Sequence, residues 1–283
     1  MKIAIAGIRG FIGSHLASRL VQDGHDPVAF ERFSCAVDLR GADAFVYAGG
    51  PSQHVDALTE NELGECLDAW PMLLNDCHTA KVGHVIFLSS HAVYGPSGRA
   101  HEEDEAPAPR TFYGALQAGR EHIGMAFHHS KGLPFTVLRL ATVYGPWMRP
   151  DALVRVFLDA ALNGGEIRLE GGGAQIRPFV YIDDLAGIVA GLLPYSRTAA
   201  GEAFNIATDH ASVRDLAARA DDAARQLGRP GVRITLAPPR SGEQGNVTLD
   251  ARKIRGFLDN WRDTPTPLER GIHATARAMM EGR

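Results

Sequence analysis

The sequence predicts a doubly wound α/β fold on a mostly parallel sheet, and three observations carry that prediction. The apolar run Ile3-Ala4-Ile5-Ala6 passes through Gly7-Ile8-Arg9-Gly10-Phe11-Ile12-Gly13 into the helix-periodic run His15 to Val21, so a buried strand turns directly into a helix. Apolar strands and helical runs then alternate through the first half of the chain. The strand Val82 to Leu88 delivers Ser89-Ser90 to its carboxyl end, which is where open α/β sheets bind ligands.

At the first turn, Gly7 permits a tight bend, Gly10 lets the backbone approach a diphosphate, and Gly13 lets the helix pack close on the sheet. The unpaired N–H groups of a helix start attract an anion, so Gly7, Arg9, Gly10, Phe11, Ile12 and Gly13 are candidate cofactor contacts. Asp26 to Phe30 reads as the second strand, ending in Glu31, placed for the adenosine ribose hydroxyls. Arg9 and Arg32 are cations where a 2′-phosphate would be welcome, so NAD is expected and NADP stays open. Only Arg40-Gly41-Ala42 separates Val37-Asp38-Leu39 from the strand Asp43 to Ala48. No crossover helix fits in that space, and the adenine side of the sheet is expected to be trimmed and open. Asp38 and the strand-end residues Tyr47, Ala48, Gly49 and Ser89 complete the cofactor candidates. Residues 53–80 read as a long helix interrupted near Pro71.

Composition limits the partners. The chain has 283 residues, 45% hydrophobic and 22% charged, enough for a well-buried core. Its net charge of -4 and lack of a basic run argue against nucleic acid and favour a small ligand. No apolar run approaches the ~20 residues of a membrane span, and Met1 leads straight into the first strand, so a cytoplasmic protein is expected. Cys35, Cys66 and Cys77 are sparse and odd in number, which suits reduced thiols, and the twelve histidines have no metal-ligand spacing.

Ser90-His91-Ala92-Val93-Tyr94-Gly95, the acidic loop His101 to Glu105, Tyr113-Gly114-Ala115-Leu116-Gln117, Leu138 to Pro146, Arg177 to Ala186 and Arg240-Ser241-Gly242-Glu243 follow one another in order. With the glycine turn, they make the chain resemble the extended short-chain dehydrogenases/reductases, in the nucleotide-sugar epimerase/dehydratase group. The resemblance runs from residue 1 to about 275 and implies a Rossmann-type sheet with a small C-terminal substrate-binding lobe. It divides the chain into an NAD(P)-binding domain at 1–142 and about 178–210, and a substrate lobe at about 143–177 and 211–283. It also implies a nucleotide-linked sugar as substrate and a homodimer formed by the helix before Pro71 and the Tyr113 helix.

In that family a Ser or Thr and a Tyr flank the reacting carbon, here Ser90 and Tyr113. A tyrosine titrates near ~10, so it is a base at neutral pH only if its anion is stabilised. The family's lysine one turn later is Gln117 in this chain, a neutral amide that keeps the ribose-binding position and brings no charge of its own. Arg120 lies about 10 Å further along the helix axis and is expected to be out of direct reach of Tyr113. His91 is a candidate auxiliary acid or base. Sugar 4,6-dehydratases carry an Asp-Glu pair after the serine position, whereas this chain has His91-Ala92, which favours epimerisation or ketosugar reduction over loss of water. Arg177 and Arg240 fall where the family clamps the diphosphate, and Thr142 replaces its usual asparagine. Two functions follow: a nucleotide-sugar enzyme, or a binding protein that has lost turnover at Gln117.

In the second half, Asp151 to Leu162 reads as an amphipathic helix, Glu166 to Leu169 as a strand, Gly171 to Gly173 as a hairpin or loop, Val213 to Leu227 as a helix, and Val232 to Leu236 as a strand.

Overall fold

The computed structural model describes residues 1–30, 39–50, 60–239, 245–258 and 265–282. The candidates Glu31, Arg32, Asp38 and Arg240, together with Cys35, lie outside the described residues. Strands β1 (Lys2–Ala6), β2 (Asp26–Phe30), β3 (Ala44–Tyr47), β4 (Val85–Ser90), β5 (Phe135–Leu140) and β9 (Ala203–Ile206) form one sheet in the order β2-β1-β3-β4-β5-β9. All five pairings are parallel. Strand order reverses at β1, which has β2 on one side and β3 on the other, and that reversal opens a crevice between the carboxyl ends of β1 and β3.

The period-two alternation of β1 sets the two faces. Ile3 and Ile5 join the core beneath α1 (Phe11–Gln22) and α5 (Ile182–Leu192), with Leu16, Leu20 and Val189. Ala4 and Ala6 join the opposite core with Phe45, Phe87, Phe135 and Trp70, beneath α2 (Glu60–Thr79) and α3 (Phe112–Lys131). Pro71 does not interrupt α2 as expected: the helix runs through it. Trp70, Leu74 and Cys77 are all buried on its inner side, and that tertiary packing outweighs the ~3 kcal/mol that an interior proline costs. Burial pushes the Cys77 thiol up to about 12, so it stays protonated, whereas Cys66 is only half-buried.

The remaining elements form a second layer beside the carboxyl end of β5. Strands β6 (Thr142–Tyr144), β8 (Ile176–Tyr181) and β10 (Asp209–Ser212) make a small mixed sheet, and β7 (Glu166–Glu170) pairs in parallel with β11 (Arg233–Ala237). Helices α4 (Leu153–Leu162), α6 (Val213–Gln226) and α8 (Leu268–Met280) pack on one another around them, and α7 (Arg252–Phe257) leans on β9. Gly171 to Gly173 all have positive φ and link β7 to β8, which do not pair, so this stretch is a loop and not a hairpin.

Candidate active site

The glycine turn is a backbone cradle. Gly7 takes φ +80, and a Cβ there would meet the Ala48 carbonyl oxygen at 2.9 Å. Ala48 continues the ladder by donating its N–H to the Ala6 carbonyl at 3.0 Å, so the ends of β1 and β3 close on each other across the crevice. At Gly13 a Cβ would lie 2.1 Å from the Gly7 carbonyl oxygen, which only glycine permits. Gly10 differs: its N–H donates to the Gly7 carbonyl at 2.8 Å, and an added Cβ would meet that carbonyl at 3.1 Å and no other atom within 4 Å. Gly10 is also the N-cap of α1, with no side-chain cap and no acidic residue in the first turn. An anion therefore meets an uncapped helix start without a Cβ in its way.

The acid–base candidates meet at the end of β4. Ser90 caps a short 3-10 turn, His91–Val93, its Oγ accepting from the Ala92 N–H at 3.2 Å. Thr111 caps α3, accepting from the Gly114 N–H at 3.0 Å. A Cβ on Gly114 would fall 2.1 Å from the Ala92 carbonyl oxygen, so the helix can press directly on the turn and bring Tyr113 against Ser90. Burial pushes the Tyr113 phenol above its ordinary value, and a hydrogen bond with Ser90, the Arg120 charge and a hydrogen bond with Gln117 offset only part of that rise.

The Arg120 contribution adds to the sequence-based expectation, which set aside only a direct contact with Tyr113. Axial rise measures backbone separation, but the guanidinium folds back along the helix, and its Nη1 donates to Gln117 Oε1 at 3.3 Å. Tyr113, Gln117 and Arg120 are spaced i, i+4 and i+7, one stripe of the helix, and what distance along the axis does not reveal is that Gln117 stands between the other two.

His91 is buried and its Nδ1–H donates to the Leu140 carbonyl at 3.1 Å. Burial first, then the nearby Arg177 and His101, bring its pKa down to about 4 against the Leu140 bond, so it is neutral at pH 7 and no source of positive charge. The Ser89 hydroxyl donates to Glu121, which takes a two-pronged hydrogen bond from Arg139 at 3.0 and 2.9 Å. Arg139 also donates to the Tyr94 hydroxyl at 2.7 Å, and Tyr94 in turn donates to Asn205 at 3.0 Å and stacks on His101. This buried network ties β4, α3, β5 and β9 together beneath the candidate site. Arg177 on β8 donates to the Gly245 carbonyl at 2.7 Å, next to the segment that carries Arg240. Thr142 opens β6 in register with Phe179. Trp147, exposed and at φ +61, sets its ring 5.2 Å from His15 of α1, so the loop after β6 reaches the helix that begins at the cradle.

Residues 3–207 match the family described as NAD dependent epimerase/dehydratase. A probable UDP-glucuronate 4-epimerase of Rhizobium meliloti (strain 1021) is 28% identical over 299 residues, covering 86% of this chain and 87% of the relative. A dTDP-glucose 4,6-dehydratase of Xanthomonas campestris pv. campestris (strain B100) is 28% identical over 284 residues, covering 95% and 77%. The solved structure of MoeE5 in complex with UDP-glucuronic acid and NAD superposes with a TM-score of 0.87 at 25% identity, covering 100% of each chain.

Proposed function

The chain belongs to the NAD dependent epimerase/dehydratase family, and from that footing we propose that it is an NAD-dependent enzyme of nucleotide-linked sugars that inverts a hydroxyl-bearing carbon, most simply C4. The observation that carries the reading is the meeting of Ser90 and Tyr113 at the end of β4, on the carboxyl edge of the sheet that also bears the glycine cradle. The cradle suits a dinucleotide diphosphate, since Gly10 and the start of α1 leave a side-chain-free, donor-rich surface. In this reading Gly7 to Gly13, Tyr47, Ala48, Gly49 and Gln117 hold NAD, which when bound takes up and returns a hydride. Tyr113, as phenolate, accepts the proton of the sugar hydroxyl and later gives one back, while Ser90 holds the reacting oxygen. Arg177 supplies a guanidinium for the substrate diphosphate, with Arg240 as its proposed companion.

Elimination of water needs an acid and a base beside the serine. His91 is neutral and tied to Leu140, and Ala92 has no polar side chain, which supports epimerisation or ketosugar reduction. The proposed division places 1–142 and about 178–210 in the nucleotide-binding domain, supported by β9 joining the six-stranded sheet. Among the described residues no helix is long and apolar enough to cross a membrane, and a cytoplasmic homodimer through α2 and α3 is part of the same proposal. Light scattering at micromolar concentration checks the dimer.

The deciding experiment incubates the protein with NAD and a panel of UDP- and dTDP-linked hexoses and uronic acids, and resolves epimers by NMR. Inverted product that disappears in Tyr113→Phe supports the enzyme. Nucleotide-sugar binding with no turnover across the panel supports the alternative, a binding protein, for which Gln117 in place of lysine is the motivating residue.

A further inference from the structure

We propose that Arg120 is the positioning cation of the acid–base centre, acting on Tyr113 through the side-chain amide of Gln117. The inference rests on Tyr113 being the base of the proposed reaction. Arg120 is 3% exposed, and among the described residues no carboxylate is paired with it. Its neighbour in sequence, Glu121, is committed to Arg139 and Ser89. The guanidinium is held by uncharged groups: Gln117 Oε1, the Cys66 carbonyl at 3.3 Å, and the rings of Tyr47 and Trp70 at 5.4 and 5.7 Å from its central carbon. The Gly50 backbone is close by, since a Cβ there would sit 3.2 Å from Nη1. Its buried Nε has no partner among the described residues.

A buried cation that lacks a counterion is costly to keep, and its field is not cancelled locally. The Gln117 amide carries that field to the phenol. Its Oε1 accepts from Arg120 and its amide nitrogen donates to the Leu88 carbonyl at 3.5 Å, and its i, i+4 spacing on α3 sets the second N–H of that nitrogen toward Tyr113, whose pKa the Gln117 side chain lowers. A carbonyl bonded to a cation makes its own N–H a stronger donor, so the positive end of the amide is turned on the phenolate. The groups acting on Tyr113 are Ser90 at the end of β4 and Gln117 and Arg120 on α3, and His91, in the turn packed against Gly114, is neutral. Around Arg120, β3 supplies Tyr47 and α2 supplies Cys66 and Trp70, none of them a carboxylate. The charge that the family places one turn after the tyrosine is thus supplied from two turns away.

The test titrates Tyr113 by the ultraviolet difference absorbance of tyrosinate, each protein measured against its own Tyr113→Phe counterpart, and follows the pH profile of turnover beside it. Arg120→Met is expected to raise the Tyr113 pKa by about one to three pH units and to cut kcat at neutral pH by tenfold or more with little change in KM. Gln117→Lys added to Arg120→Met restores both, because it returns a cation to the family position. Arg120→Lys retains most of the effect. A titration unmoved in Arg120→Met, with only its melting temperature lowered, assigns Arg120 a purely structural role and overturns the inference. If Arg120→Met does not fold, Arg120→Gln removes the charge while keeping a polar side chain beside the Gln117 amide. An upward shift in Arg120→Gln that is absent in Arg120→Lys upholds the inference, and no shift overturns it. Absence of sugar turnover in the parent defeats the proposed function alone, because the titration reads Tyr113 without substrate.

Discussion

The proposed cofactor cradle and the proposed acid–base centre lie at the carboxyl edge of the same sheet and are built in opposite ways. The cradle is backbone: Gly7, Gly10 and Gly13 are within seven consecutive residues, and each acts by what it lacks. The acid–base centre is side chain: Ser90, Tyr113, Gln117 and Arg120 converge from two elements, and Tyr47, Cys66 and Trp70 steady the last of them from two more. A backbone site tolerates no substituent, yet its neighbours in sequence can vary. A side-chain site tolerates the exchange of one member when another delivers the same charge, and under the proposal above the glutamine in the lysine position is such an exchange.

The difference predicts separable losses. Tyr113→Phe should lower turnover by about 10²–10⁴-fold while leaving NAD affinity by calorimetry unchanged. A loss of NAD affinity of the same size would merge the two regions and break the comparison. Next in size is the network under the acid–base centre: Arg139→Met strands the buried Glu121 carboxylate and should cost about 3–5 kcal/mol of unfolding free energy in urea. A cost below about 1 kcal/mol would mean that the network is replaceable there.

Acid should destabilise the fold through two buried histidines. His91 and His84, the latter buried with its Nε2 on Thr136 Oγ1, both have pKa values lowered by burial from 6.5 to about 4. Between those pH values the unfolded chain binds more protons than the folded one, so stability present above pH 6.5 is lost as pH falls toward about 4. The loss is on the order of 3 kcal/mol per histidine. His84→Leu, which leaves Thr136 donating to the Ala199 carbonyl, should flatten the pH dependence of the melting temperature, and an unchanged slope would contradict the assignment.

The smallest effect sharpens the cradle itself. Gly10→Val should weaken NAD binding by tenfold or more while the chain stays folded, because a Cβ there meets only the Gly7 carbonyl, at 3.1 Å. Gly13→Val, by contrast, should lose helix α1 packing as well, since its Cβ would sit 2.1 Å from the same oxygen. Circular dichroism and calorimetry on the pair distinguish a diphosphate seat from a packing contact.

By itself the sequence determined the elements whose causes are local. The strand-to-helix turn at Gly7 to Gly13, the alternation that buries β1 on both faces, and Ser90 at a strand end and Tyr113 at a helix start all follow from periodicity and from backbone sterics a few residues long. Tertiary structure decided whatever depended on distant partners. Pro71 reads as a break until Trp70 and its neighbours anchor the helix on the sheet, and Gly171 to Gly173 read equally as hairpin or loop until β7 finds β11 instead of β8. The tie from the Ser89 hydroxyl to Glu121, 32 residues away, which in turn binds Arg139, is likewise invisible in the sequence. Arg120 is the clearest case. Its distance along the helix is legible in the sequence, but the direction of its side chain is set by the Tyr47 and Trp70 rings and the Cys66 carbonyl, which only folding brings to it.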